Sequence, residues 1–259
     1  MSIDPVAAAG FSSAADLYER ARPSYPQEAI DWLVRETGLG PGRAVVDLGA
    51  GTGKLTRLLL PTGARVVAVE PIAEMRAHIG AAEVLDGTAE AIPLPDHSVD
   101  VVAVAQAFHW FDHERALPEI HRVLREGGTL VLVWNMRDLE DPLQREVEDL
   151  LRPVRDGVPG QAAGAWREPL ARSPLFGDAV VGSFEHEQRF TADDLCDRVA
   201  STSFVAAMSS LRRDELLVRV RALASGLEEP FPFRYLTEVH VFPRSSDAAR
   251  GDRGTSIQG

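Results

Sequence analysis

Three glycines at alternate positions, Gly49, Gly51 and Gly53, stand between the run VVDL and the helical stretch LTRLL. Lacking a Cβ, they let the chain adopt torsions closed to other residues and bring its main chain against a ligand, while the N–H groups of the following helix favour polar or anionic groups. The spacing is GxGxG. A dinucleotide fingerprint would set its third glycine at position 54, where Lys54 stands, and a P-loop would need Lys followed by Ser or Thr, where the chain runs Lys54, Leu55. About twenty residues on, Glu70 ends the run VVAV; an acidic side chain there faces the crevice of an α/β sheet and can accept hydrogen bonds from a ribose, or is simply a solvated strand-end carboxylate.

A second group of residues follows the apolar run 99–105. His109 and Trp110 lie just beyond it, at the carboxyl edge where ligands bind in open α/β sheets. A histidine there can take a proton from a hydroxyl or amine, or can shape the loop by bonding a backbone carbonyl. Phe108, Trp110 and Phe111 read as an apolar pocket wall. His113 and His121 fall two helical turns apart, too far to share a metal, and read as surface residues. His186 alternates in facing with Glu185 and Glu187 and forms no metal triad with them; no metal site is expected. Cys196, the sole cysteine, cannot form an internal disulfide and fits a reducing cytoplasm.

These groups need a scaffold, and the pattern supplies an alternating one. Two helices are expected over 12–37, parted by Pro23 and Pro26, then strands at 44–48, 65–70, 82–85, 99–105 and 129–134 with helices at 53–60, 72–80 and 112–125 between them. Strands such as VDVVAVA and TLVLVW are apolar throughout, as in a parallel sheet covered on both faces, so a doubly wound α/β fold follows. A charged helix at 142–155, a Gly/Pro-rich loop at 156–165, a strand at 179–190, helices at 191–200 and 212–225 and a last strand at 233–242 complete the reading. The formal charge of −12 opposes a nucleic-acid partner. The first residues lack the basic n-region of a secretory signal, and no segment is apolar enough to span a membrane.

The stretch 45–134 resembles the class I methyltransferases that bind S-adenosylmethionine. DLGAGTG matches their acidic-x-G-x-G-x-G turn, VVAVEP their ribose strand, DGTAEAIPLPDHSVDVV their adenine-site loop and fourth strand, and REGGTLVLVW their fifth. AQAFHWFD and YERARPSYP are similar to the type 11, trans-aconitate methyltransferase-like subgroup, and the likeness continues through TSFVAAM and FRYLTEVHVFPR. The resemblance implies a Rossmann-like, doubly wound seven-stranded sheet of order 3-2-1-4-5-7-6 with the last strand antiparallel, an N-terminal helical lid and a small helical cap.

It further implies that Asp47, Gly49, Ala50, Gly51, Gly53 and Leu55 sit by the amino-acid part of the cofactor, with Ala105, Gln106 and Ala107 across the crevice. Glu70 would bind the ribose, Pro71 and Met75 would pack near adenine and ribose, and Thr88, Ala89 and Glu90 would line the adenine. The lid would bring Tyr18, Arg22 and Tyr25 to the methionine end, where Arg22 suits a carboxylate or else caps a helix end at the surface. The acceptor pocket would be lined by Tyr25, His109, Trp110, Asn135, Trp166, Thr202, Ser203 and Phe204, a mixture suited to a medium-sized, partly apolar metabolite, with His109 the candidate base.

One domain is expected over 1–243, divided into lid (1–40), cofactor-binding core (41–135) and cap with the last two strands (136–243), followed by a disordered tail at 244–259. The expected activity is methyl transfer to an oxygen of a small central or secondary metabolite, yielding S-adenosylhomocysteine, in a monomer or homodimer. The alternatives are a fold recruited to a non-methylating reaction such as cyclisation, carbon, nitrogen or peptide-end methylation, and modification of a macromolecule.

Overall fold

The structure is a computed structural model describing residues 15–155, 164 and 166–246. Helices α1 (Ala15–Ala21) and α2 (Gln27–Thr37) come first, with Pro23 and Pro26 in the bend between them. The alternating core follows as β1 (Ala44–Leu48), α3 (Lys54–Leu59), β2 (Arg65–Val69), α4 (Ala73–Arg76), β3 (Glu83–Leu85), β4 (Val99–Ala105), α5 (His113–Val123) and β5 (Leu124–Arg137). Then come α6 (Pro142–Leu151), α7 (Arg167–Arg172), β6 (Val180–Phe190), α8 (Ala192–Ala200), α9 (Ser203–Ala206), α10 (Ser210–Leu223) and β7 (Phe231–Pro243).

The seven strands form one sheet, ordered β3-β2-β1-β4-β5-β7-β6, parallel except for β7, which runs antiparallel to both β5 and β6. The uniform apolarity of the central strands has the expected cause. Val46, Leu48, Val102, Val104, Leu130, Leu132 and Trp134 face one layer under α5 and α7, while Val45, Val101, Ala103, Val131 and Val133 face the other under α2 and α3. A third apolar cluster joins α6, α8 and α10 to Phe190, Phe231, Phe233 and Tyr235, so the cap rests on the ends of β6 and β7 that project past the sheet's centre. Gly182 admits α2 over this edge: a Cβ there would stand 2.9 Å from the Trp32 indole.

Several expectations are corrected. The fifth strand begins at Leu124 rather than 129, because Gly127, at φ +73°, and Gly128 carry the chain through a bulge without ending the pairing with β4. A Cβ on Gly128 would meet the carbonyl oxygens of Arg125 and Asp100 at 2.9 Å. The helix expected at 72–80 is one turn long, giving way to i+3 bonds at His78 and Ile79 before Gly80. The short helices α7 and α9 are additions to the pattern expected from sequence. His121 is buried, 4% exposed, against Phe176 and with its Nε2 3.1 Å from the Ser245 carbonyl, not at the surface. Arg244 is likewise buried, its N–H donating to Gly128 and its guanidinium to the His121 carbonyl, so the expected tail is docked at its start; 247–259, the loop at 156–163 and 165, and the first 14 residues of the lid lie outside the described residues. Among the described residues no helix is long and apolar enough to cross a membrane.

Asp100 ties the base of the sheet together. Its Oδ2 accepts from the Ala44 N–H at 2.8 Å and from Arg125 at 2.6 Å, and its Oδ1 lies 3.4 Å from Arg43. Asp100→Ala leaves a buried N–H unsatisfied and should lower unfolding free energy by about 1–3 kcal/mol, read from the midpoint of a urea titration with unchanged slope.

Candidate active site

The turn between β1 and α3 has to reverse the chain within five residues, and each of its three glycines has positive φ: +69° at Gly49, +58° at Gly51 and +81° at Gly53. Gly49 is also sterically required, since a Cβ would stand 2.8 Å from that of Ala107. Gly51 differs. A Cβ there would meet nothing within 4 Å, so its main chain borders open space. The N–H groups of Gly49 and Ala50 both donate to the Val69 carbonyl, which fixes the end of β1 to the end of β2.

Glu70, only 6% exposed, completes this junction. One carboxylate oxygen accepts from the Gly51 N–H and the other from the Ile72 N–H, each at 2.9 Å. Burial raises its pKa, opposed by these two bonds. Met75 is buried with Ala15, Ile72 and Tyr18, joining this corner to α1, and Pro71 is half-buried beside it. Ala89 is buried and the Thr88 hydroxyl is enclosed without a partner among the described residues, whereas Glu90 accepts from the Asp112 N–H at 3.0 Å.

On the α2 and α3 side of the sheet lies Asp47, 1% exposed. Its Oδ2 accepts from the Thr56 hydroxyl at 2.6 Å and its Oδ1 has no partner among the described residues. Burial pushes its pKa up to about 6, with the Thr56 bonds opposing. Tyr25 is buried in the same layer as Leu55, and burial, with the charges of Tyr18 and Asp47, raises its phenol well above the ordinary range. Leu55 therefore serves the core.

The lid is fastened by polar contacts. Arg20 pairs with Asp197 of α8 at 2.9 Å, Arg22 donates to the Ser201 carbonyl at 2.8 Å, and the Lys54 ammonium donates to the Glu19 carbonyl at 2.6 Å. Arg22 is partly buried rather than at the surface, and its donation to the carbonyl of Ser201, the residue that closes α8, caps that helix end; its guanidinium lies over the Tyr18 ring, its Nε is enclosed without a partner among the described residues, and burial, then the nearby Arg198, lowers its pKa to about 10. Asn135 is fully engaged in this fastening. It donates to the Ser24 carbonyl at 2.9 Å and accepts from Thr237 at 2.6 Å, so the structure gives it a tether's work rather than a free face toward an acceptor.

At the end of β4, Gln106 takes φ +60°, an uncommon conformation for a residue with a side chain, between Ala105 and the Ala107 that abuts Gly49. His109 follows, its ring 4.8 Å from Trp110 and 5.7 Å from Trp134, with Nδ1 enclosed and unpartnered among the described residues. Burial, then Arg22 and His113, holds its pKa down to about 4. Trp166 continues the aromatic file at 5.3 Å from Trp134 and is core, 3% exposed. On the cap, Thr202 has an enclosed hydroxyl with no partner among the described residues, Ser203 is buried, and Phe204 lies under Arg155.

Two arginines outside the sequence motifs join this region. Arg137, at the end of β5, and Arg198, on α8, bracket Tyr235, which pairs with Arg137 in the sheet and accepts from Arg198 through its hydroxyl at 3.1 Å. Arg198 carries a legible signal: it falls at the third position after Leu195, inside the apolar stripe of its helix.

Residues 46–132 match the methyltransferase domain family. An uncharacterised methyltransferase of Mycobacterium tuberculosis is 46% identical over 217 residues, covering 82% of this chain and 84% of that protein. An uncharacterised methyltransferase-like protein of Schizosaccharomyces pombe is 34% identical over 215 residues, covering 81% and 84%. Among solved structures, a protein of Anaeromyxobacter dehalogenans provisionally assigned as a type II methyltransferase superposes with a TM-score of 0.64 at 25% identity, covering 86% of this chain and 97% of that one.

The state of Asp47 has a measurable consequence. Its folded pKa, about 6, lies above the unfolded value, so the stability it contributes is present at pH 4 and is lost as pH rises through 6. Asp47→Asn should therefore stabilise the ligand-free protein by about 1–3 kcal/mol at pH 7.5 and have little effect at pH 4.5, as thermal denaturation at both pH values will show.

Proposed function

Since the chain belongs to the methyltransferase family shown by its relatives, we propose that it transfers a methyl group from S-adenosylmethionine to an oxygen of a small molecule, a carboxylate in preference to a hydroxyl. The observation that carries the cofactor assignment is the open space over Gly51, whose N–H is held by the buried Glu70 carboxylate, with a second buried carboxylate, Asp47, on the strand that enters the turn. The residues fit the group. The Asp47 Oδ1, unpartnered among the described residues, suits an ammonium and the enclosed Arg22 Nε suits a carboxylate, while Glu70 would take the ribose hydroxyls and Met75, Thr88 and Ala89 would line the adenine. When bound, the cofactor supplies a methyl group on a sulfonium sulfur, open to in-line displacement.

What remains for the protein is alignment and exclusion of water, and positioning alone is worth roughly 7–11 kcal/mol against a dilute bimolecular reaction. The lid fastened over α3 and the aromatic file of His109, Trp110 and Trp134 serve both ends. His109 is neutral at physiological pH and, with a pKa near 4, is a weak base for a hydroxyl. An acceptor already ionised in solution needs no such base. This favours a carboxylate, with His109 a wall and a hydrogen-bond acceptor.

Calorimetry with S-adenosylhomocysteine tests the cofactor site. Gly51→Val, which places a branched side chain in the open space, and Glu70→Ala should each weaken binding about tenfold or more, and His109→Ala less than about threefold. Label moved from methyl-labelled S-adenosylmethionine onto a metabolite extract tests the acceptor: an ester releases its label as methanol in alkali, whereas an alkali-stable product would refute carboxylate methylation. The turnover of that reaction should be flat from pH 6 to 8, and a fall centred near the ordinary histidine value would return His109 to the role of base.

A further inference from the structure

The chain carries a net charge of −12, yet the cap side of the candidate site gathers cations. Arg198 is 8% exposed; its Nε donates to the Tyr235 hydroxyl and its Nη1 is enclosed without a hydrogen-bond partner among the described residues. Arg137, side by side with Tyr235 on the sheet, donates to Glu148 at 3.0 Å, and Arg155 occupies the same carboxylate at 2.8 Å. Arg22 enters from the lid, bonded to the Ser201 carbonyl next to the unpartnered Thr202 hydroxyl. Of these four guanidinium groups two, those of Arg137 and Arg155, share the Glu148 carboxylate, and among the described residues neither Arg22 nor Arg198 has an acidic partner. The groups sense one another: after burial, Arg198 is the largest influence lowering both Arg22 and Arg137. Enclosed charge left uncompensated is costly, and an anion bound there would relieve that cost.

We propose that Arg198 and Arg137, with the Thr202 hydroxyl, bind an oxyanion of the methyl acceptor, a carboxylate or a phosphate, distinct from the oxygen that is methylated. The inference rests on the methyl-transfer reading above and adds a substrate class to it: a small metabolite with at least one anionic group besides the reacting one. The free nitrogens of planar guanidinium groups match either oxyanion, and Tyr235 fixes the orientation of the Arg198 fork. Phe204, under Arg155, gives this anionic end an apolar border. Arg22 is near enough to both arginines to be influenced by their charge, and its Nε is left for the cofactor carboxylate.

The test is calorimetric titration of the full chain, saturated with S-adenosylhomocysteine, with citrate and separately with inorganic phosphate at constant ionic strength. At least one should bind, and the one that binds names the class. Arg198→Met should weaken that binding about tenfold or more while changing S-adenosylhomocysteine affinity less than about threefold. Should the methionine variant not fold, Arg198→Gln reads the same loss. Saturable binding of neither anion to the wild type, or binding equally strong in the variant, overturns the proposal. Failure of S-adenosylhomocysteine itself to bind overturns instead the methyl-transfer reading, and the two failures are recorded in separate titrations. An arginine that only braced Tyr235 would lower thermal stability in the variant without moving either anion isotherm.

Discussion

A chain that leaves a buried strand and enters a helix through five residues cannot pair all its N–H groups within either element. Here the neighbouring strand meets that demand. The Val69 carbonyl takes the N–H groups of Gly49 and Ala50, and the next residue, Glu70, takes that of Gly51. Three consecutive donors are satisfied by two consecutive residues at the end of β2, which is possible only because the turn follows left-handed torsions at its glycines. The register of β1 against β2, the direction in which α3 leaves the sheet and the opening above Gly51 are therefore one arrangement. The lid depends on it too, since Lys54, the first residue of α3, holds α1 through the Glu19 carbonyl.

Around that junction the electrostatics are divided by the sheet and cap. Buried carboxylates, Asp47 and Glu70, stand at the ends of β1 and β2, where burial raises the pKa of each. Buried guanidinium groups gather where the lid meets the end of β5 and α8, and burial lowers the pKa of Arg22 and of Arg137. Both sets are held in unfavourable ionisation by a surrounding that is apolar and nearly closed, and each is relieved by charge of the opposite sign. His109, which feels the charge of Arg22, remains neutral at physiological pH and belongs to neither set.

Much of this is legible in the residue order, for reasons that differ by element. The central strands declare themselves because a run that is apolar at every position must be covered on both faces, and the first three strands and their glycine turn follow local rules of torsion and spacing. The added length of β5 is hidden because EGG reads as an ending when the chain is considered alone, yet Gly128 is small for the sake of a carbonyl, that of Asp100, on the neighbouring strand. His121 reads as exposed because what buries it, Phe176 and the Ser245 carbonyl, comes from more than fifty residues away in sequence. The same holds for Asn135, whose position at the strand end suggests an acceptor contact while its partners, Ser24 and Thr237, lie toward opposite ends of the chain. Arg198 is the instructive case, since a charge within an apolar helical stripe signals buried polarity before the fold is seen.

Lys54 is the sole lysine of the chain, and its amine is tucked beneath the lid, held by the backbone of α1 with its pKa lowered by burial and flanked by Arg57. Apart from the α-amino group, no other primary amine competes for an acylating reagent. The rate at which such a reagent marks this single side chain is consequently a direct clock for the detachment of α1, and mass spectrometry of one peptide would time the opening of the crevice with no engineered label.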